Sequence, residues 1–404
     1  MTSPAPLQGP LLRERFAALD DFLRAHQDIW RPIPFTELEL PWEREHPELA
    51  AWLRDRSLAE ADAIHNQPER LQAPAPYPQL AAESARLSQI GELPATRSET
   101  MPNAFTVDVP GRKWQQIDAF ASRLVFRQAP GHWLDWCSGK GHLGRRLAHD
   151  GTPLTCIELD PQLVASGQQL SQRLGLAAQH HEQDALADDA GLHLTTEQTA
   201  VALHACGDLH VRLMQLASAA GCRQLAVAPC CYNRIQTPDY QPLSATARSS
   251  ALRLSRVDLR LPLSETVTAG ARVRRQRDQS MARRLAFDLL QRELTGKDQY
   301  LPTPSLATSW LDKPFPEYCR DLCALKGLLA PADHDWQALE AAGWQRLAEV
   351  RNLELPRSLF RRPMELWLLL DRALFLEEHG YQVTLGSFCA PQLTPRNILL
   401  LAER

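Results

Sequence analysis

From Trp133 to Gly144 the chain reads Trp-Leu-Asp-Trp-Cys-Ser-Gly-Lys-Gly-His-Leu-Gly, a short apolar strand that breaks into a glycine-rich turn. Glycines at 139, 141 and 144 let the backbone turn tightly at a strand end, approach a ligand closely and start a helix packed against a sheet. This stretch predicts an α/β protein with a dinucleotide or nucleoside cofactor at the turn. Asp135, four residues before Gly139, narrows the choice, because a carboxylate there suits a cation better than a pyrophosphate.

The flanking sequence supports the same class. Trp114, Ile117, Phe120, Ala121 and Leu124 are spaced for the buried face of a helix. Beyond the turn, strands are expected over 154–158, 178–183, 200–205 and 224–228, with helices over 141–148, 161–174 and 208–220 between them. Such alternation implies a parallel sheet covered on both faces, with ligands bound outside the carboxyl ends of its strands. A strong helix over 363–378 leads to two closing strands, 382–388 and 397–401. Their connection is too short for a helical crossover, so the pair must be antiparallel.

Three acids follow three successive strands: Asp135, Glu158 and Asp184. Glu158 lies about 20 residues after the glycine turn, the spacing for bidentate hydrogen bonding to ribose hydroxyls. Asp184 could accept from an exocyclic adenine amine, and Asp135 would sit near an ammonium and a sulfonium. Cys137, Gly139, Gly141 and Ala185 complete the expected cofactor lining. This is the pattern of a Rossmann-like class I methyltransferase that uses S-adenosylmethionine: seven strands, mostly parallel, with an antiparallel C-terminal pair. A nicotinamide-binding domain shares the glycines and the later acid but needs neither Asp135 nor the terminal strand pair.

Composition sets the remaining bounds. Hydrophobic residues make up 44% and charged residues 23% of the 404 positions, which excludes a disordered or fibrous chain. No apolar run approaches the roughly 20 residues of a membrane helix. Nine scattered cysteines read as reduced thiols, so a cytoplasmic location is expected. Residues 1–100 hold 12 of the 30 prolines and read as a proline-punctuated helical subdomain, with Leu12, Phe16, Leu19 and Leu23 on one face and further helices over 42–58 and 79–93. The methyltransferase domain is expected over 101–404, broken by an insertion at about 233–355 in which 281–294 reads as a helix. The net charge of -4 conceals residues 248–284, where 10 arginines face 3 acids.

Two clusters end the fourth and fifth parallel strands: Leu-His204-Ala-Cys206-Gly-Asp208-Leu-His210 and Ala-Pro229-Cys230-Cys231-Tyr232-Asn. Neither contains a Cys-x-x-Cys pair or a fixed histidine spacing, so no metal site is expected. Cys319 with Cys323, Cys156 and Cys222 are expected in cores. With Asp371-Arg372 in an apolar helix and Thr394-Pro-Arg396-Asn397 before the last strand, these clusters resemble the methyltransferase family that includes the methyltransferase-like twenty-five and glutathione S-transferase C-terminal domain-containing proteins. More distantly they resemble the eukaryotic acceptor-stem tRNA ribose 2'-O-methyltransferases, which carry histidines where this chain has Tyr232-Asn233. The resemblance covers roughly residues 110–404 and implies the fold and the cofactor.

Methyl transfer requires mainly that nucleophile and methyl be held in near-attack geometry. A base helps when the acceptor carries a proton, and Asp208, His204 and Lys113 are candidates by location. Cys206 or Cys230 could attack a base carbon. Alternatively His204, Cys206, Cys230 and Tyr232 form a packed wall around the methyl group. The arginines of 248–284 point to RNA as acceptor, since they would neutralise several phosphates. A protein or small-molecule acceptor and a non-catalytic cofactor-binding scaffold are the alternatives.

Overall fold

The computed structural model describes residues 4–96, 100–264 and 270–404. These form two compact units: residues 1–25, 87–267 and 362–404 make one, and 26–86 with 268–361 the other. No helix among the described residues is long and apolar enough to cross a membrane.

The first unit is built on one sheet of β1 (Leu7–Gln8), β2 (Trp133–Trp136), β3 (Leu154–Glu158), β4 (Ala178–Glu182), β5 (Thr199–Cys206), β6 (Gln224–Cys230), β7 (Gln382–Ser387) and β8 (Ile398–Glu403). Their order is β1-β7-β8-β6-β5-β2-β3-β4. Strands β2 to β6 are mutually parallel, and β8 runs antiparallel to both β6 and β7. This is the Rossmann-like methyltransferase arrangement, with the seven expected strands in place. An eighth is added, because Leu7 and Gln8 pair antiparallel with Leu385 and Thr384 at the β7 edge. Strand order reverses between β2 and β5, and in such sheets ligands bind at the carboxyl ends of the strands beside that reversal.

The helices of this unit cover the sheet as the apolar spacing requires. Helix Gly111–Ala121 buries Ile117 and Phe120, which join Trp133, Leu143, Leu154 and Val201 in one core cluster. Helix Asp208–Ala220 has the expected bounds, and Arg361–Glu378 begins two residues earlier than expected. Helix Pro10–Ala25 buries Leu12, Phe16, Leu19 and Leu23. Phe16 lies 5.1 Å from Trp367, whose indole N–H donates to Asp20 at 3.0 Å.

The second unit corrects the domain boundary expected at residue 100. Residues 26–86 pack with 268–361 because arginines from the later segment cap loop carbonyls of the earlier one. Arg357 donates to Trp30 O at 2.8 Å, and Arg346 donates to Pro34 O at 2.6 Å and to Glu37 O. Asn352 donates to Arg56 O at 3.0 Å. Such partners, about 300 residues apart, leave no trace in local composition.

The helix expected over 42–58 is divided. A 3-10 turn Pro41–Glu43 precedes helix Pro47–Arg54, and a new helix Leu58–Ile64 starts at the reciprocal Ser57–Glu60 cap. The helix expected over 79–93 spans Tyr77–Leu87. The interval expected to be largely irregular holds long helices, Ala271–Thr295, Phe315–Leu325 and Trp336–Ser358. Cys319 and Cys323 lie in their core with Phe287 and Leu322, as expected. Positions 97–99 and 265–269, inside the proline-rich and arginine-rich segments, are outside the described residues.

Candidate functional site

The glycine turn has the backbone its composition implies. Gly139 and Gly141 take φ of 57° and 72°, and Gly141 caps helix His142–Leu147. A Cβ on Gly141 would lie 2.6 Å from the His180 ring, whereas one on Gly139 would meet nothing within 4 Å. Position 139 therefore needs glycine for conformation, and its open side leaves room for a ligand. Cys137 shares the left-handed conformation at φ 56° without being glycine.

The three acids are held in different ways. Glu158 accepts from Gly139 N–H at 2.8 Å and from Leu159 N–H at 2.9 Å, so it binds the turn to the end of β3 while remaining half-buried. Asp184 is exposed and accepts from Leu186 N–H at 2.9 Å, beside the buried Ala185. Asp135 departs from expectation. It is only 2% exposed and accepts from Gly144 N–H at 2.9 Å. Burial pushes its pKa up to about 7 against the opposing pull of that hydrogen bond and of Arg145 and Lys113. Its carboxyl fastens β2 to the start of the helix rather than facing an open cation site.

The Cys137 thiol marks where the strand ends converge. Burial pushes it up to about 12, with further contributions from the charges of Glu158, Asp135, Cys206 and Asp184. The expected cofactor acids and Cys206 of the first cluster thus act on one atom. Open space at Gly139, a half-buried acid at Glu158 and an exposed one at Asp184 fit a nucleoside cofactor.

At the ends of β5 and β6 the chain leaves regular sheet geometry. The register shifts between Leu203 and Cys206, and His204 and Cys231 take φ of 64° and 46°. Non-glycine residues rarely adopt such values, at a cost of about 1–2 kcal/mol each. Gly207 locks the two ends together, its N–H donating to Cys230 O at 3.1 Å while Asp208 N–H donates to Arg234 O at 3.0 Å. A Cβ on Gly207 would lie 1.9 Å from Arg234 O.

These turns present the expected catalytic residues unequally. The His204 Nε2 lies 3.0 Å from Gln116 Oε1, and Gln116 Nε2 donates to Leu393 O at 3.0 Å. That second bond fixes the amide, so His204 carries its proton on Nε2 and keeps a lone pair on Nδ1. Burial, with the charges of Lys113 and Arg396, lowers its pKa to about 4. Lys113 itself is exposed. Asp208 is half-buried, accepts from Gln236 N–H at 2.8 Å and borders a cavity of about 340 Å³ with Arg212, Tyr240 and Arg372. Tyr232 is fully buried, its hydroxyl has no partner among the described residues, and the Arg372 guanidinium lies 5.1 Å from its ring centroid.

The cysteines of the two clusters meet. Cys206 Sγ lies 3.4 Å from Cys230 Sγ, and the Sγ atoms of Cys206, Cys230 and Cys231 are all within 4.8 Å of one another. Hydrogen bonds from Cys230 and Cys231, with the charge of Arg234, pull the Cys206 thiol down to about 6 despite burial. The Cys230 thiol is raised, chiefly by its hydrogen bond with Cys206. The sequence spacing offered no sign of this grouping, because it depends on strand register and on the turn at Cys231.

A supporting network was also hidden. Arg372 donates from Nε to His210 Nε2 at 2.8 Å and from Nη1 to Tyr240 Oη at 3.0 Å, while His210 Nδ1 lies 2.9 Å from Ala205 O. Asp371 accepts from the backbone N–H groups of Leu243 and Ser244 at 2.9 and 2.7 Å. Adjacent opposite charges inside Leu-Leu-Leu-Asp-Arg-Ala-Leu-Phe are the signal that could have exposed it, since buried charges require partners.

Residues 112–238 match the family model described as a methyltransferase domain. The chain is similar to magnesium protoporphyrin IX methyltransferase from Synechocystis with bound S-adenosylmethionine, at 18% identity over 32% of this chain and 64% of that one, TM-score 0.25. It is also similar to an S-adenosylmethionine-dependent methyltransferase from Geobacter sulfurreducens in complex with S-adenosylhomocysteine, at 20% identity over 31% and 55%, TM-score 0.23. A third similarity is to coclaurine N-methyltransferase bound to N-methylheliamine and S-adenosylhomocysteine, at 12% identity over 98% and 94%, TM-score 0.27. The chain spans less than two thirds of the length of the first two.

Proposed function

We propose that this chain transfers a methyl group from S-adenosylmethionine to an RNA acceptor at the carboxyl ends of β2 to β6. When bound, the cofactor supplies a sulfonium-activated methyl group. Glu158 would accept from the ribose hydroxyls and Asp184 from the adenine amine, with Cys137, Gly139, Gly141 and Ala185 lining the crevice. Asp135 acts one step back as a positioning residue, keeping the glycine turn against the sheet.

The acceptor side falls to His204 to Asp208 and Cys230 to Tyr232. If the acceptor is a hydroxyl, the lone pair on His204 Nδ1 or the free oxygen of Asp208 receives its proton. A histidine held near 4 is a weak base, so its main service is to orient the nucleophile.

The observation that carries RNA is the exposure of the arginines. Arg248, Arg253, Arg256 and Arg260 in the first unit and Arg272, Arg274 and Arg275 in the second have exposed side chains. Arg283 is buried and donates to Leu311 O at 3.1 Å and Lys313 O at 2.9 Å, so it serves the fold, and of the exposed arginines Arg248 and Arg253 also donate to the backbone, to Leu243 O at 2.6 Å and Ser250 O at 2.5 Å. Exposed arginines neutralising phosphates make affinity fall steeply with salt.

The test is labelled methyl transfer into RNA, protein and metabolite fractions from cells lacking this chain. Label should enter RNA, with binding weakened as salt rises. Label confined to protein or metabolites would point to those acceptors, and cofactor binding without transfer to any fraction would point to a scaffold.

A further inference from the structure

In regular strands successive side chains alternate between faces, so Cys230 and Cys231 at the end of β6 would point apart. Here the φ of 46° at Cys231 breaks that alternation, and the register shift before Cys206 brings the end of β5 to the same place. Two separate departures from sheet geometry thus converge on one result, three sulfur atoms within 4.8 Å of one another.

We propose that Cys206, Cys230 and Cys231 form a tripod that binds one zinc ion at the ends of β5 and β6. Tetrahedral zinc with Zn–S bonds of about 2.3 Å holds its sulfurs about 3.8 Å apart. The Cys206–Cys230 pair stands at 3.4 Å and all three sulfurs stay within 4.8 Å of one another, so shifts of about 1 Å or less complete the geometry. Each thiol gives its proton to solvent and its electron pair to the metal, and nothing is oxidised. Three thiolates and one divalent ion leave a single negative charge, beside Arg234, whose own charge acts on Cys206 and Cys231.

Cys206 and Cys231 are half-buried, so an ion can reach them from solvent. Three protein ligands leave a fourth position for water or an acceptor atom, the arrangement of a reactive site rather than a closed structural one. That position lies on the acceptor side of the proposed methyl-transfer site. The zinc assignment does not depend on RNA being the acceptor, because its readout is bound metal.

The experiment uses the full chain, purified under reducing conditions and freed of metal with a chelator. Co²⁺ is titrated in and followed by sulfur-to-cobalt charge-transfer absorption, and zinc in untreated protein is counted by elemental mass spectrometry. The proposal predicts one ion per chain. Cys206→Ser, Cys230→Ser and Cys231→Ser should each weaken metal binding about 100-fold or more, since losing even a partner behind a ligand costs about 10–100-fold. Cys389→Ser should leave it unchanged. Cys231 is half-exposed, so its variant keeps the test decisive if Cys230→Ser does not fold. Absence of charge-transfer absorption, unchanged affinity in Cys231→Ser, or a Cys206–Cys230 disulfide detected as a mass loss of two hydrogens in place of bound metal would each overturn the assignment.

Discussion

The turn after β2 and the paired ends of β5 and β6 both depart from regular backbone, by opposite means. The first relies mainly on glycine: Gly139 and Gly141 adopt positive φ at little cost, and the side of Gly139 is left open. The second places His204 and Cys231 in the same region of φ, where side chains are disfavoured. That cost is met locally, by the His204–Gln116 hydrogen bond, by Cys230 Sγ donating to His204 O at 3.2 Å and by the backbone bonds around Gly207. One region leaves open space where the proposed cofactor would lie. The other holds side chains in strained backbone where the proposed acceptor would lie.

Substitutions can break this contrast. Gly207→Ala should have the largest effect, because its Cβ would strike Arg234 O at 1.9 Å and the φ of 53° disfavours any side chain. A loss of about 3–5 kcal/mol is expected in denaturant unfolding. A loss under about 1 kcal/mol would show that the two strand ends are not locked there.

Asp135→Asn tests the buried acid. A carboxyl whose pKa rises from 3.8 unfolded to about 7 folded adds stability that is full below pH 4 and is lost as pH climbs through 7. Asparagine stays neutral, so the variant should gain on the original chain by up to ~4 kcal/mol between pH 4 and 8. Parallel stability profiles for the two proteins across that range would sink the assignment.

Gly139→Ala should cost about 1–2 kcal/mol of stability, from φ alone, since its Cβ meets nothing. Its cofactor affinity should fall more than its stability does, the reverse of a purely structural glycine. Lys113→Ala should have the smallest effect. Stability should be unchanged, while the His204 pKa, held down partly by the Lys113 charge, rises above about 4 in an NMR titration. A fixed titration midpoint would separate Lys113 from the site.

Much of the first region was legible because its signals are local. Buried parallel strands read as short apolar runs, so β3 has the expected bounds and β2 ends within one residue of them. The closing antiparallel pair followed from the length of its connection. β1 was not legible, since two residues carry no periodicity and Leu7 and Gln8 become a strand only through Leu385 and Thr384. The cysteine tripod escaped for a related reason: Cys206 and Cys230 are neighbours only through strand register. The contact of Asp135 with Gly144 N–H was not legible either, because it depends on the helix turning back over the strand.

The measurement that bears most directly on the account is calorimetric titration of S-adenosylmethionine into the chain and into Glu158→Ala. Binding at one site per chain is predicted, weakened about tenfold or more in the variant, in keeping with the loss of about 1.5–3 kcal/mol for a hydrogen bond to a charged group. Equal affinity in the two proteins, or no binding to the unaltered chain, would contradict a cofactor site at the ends of β2 and β3.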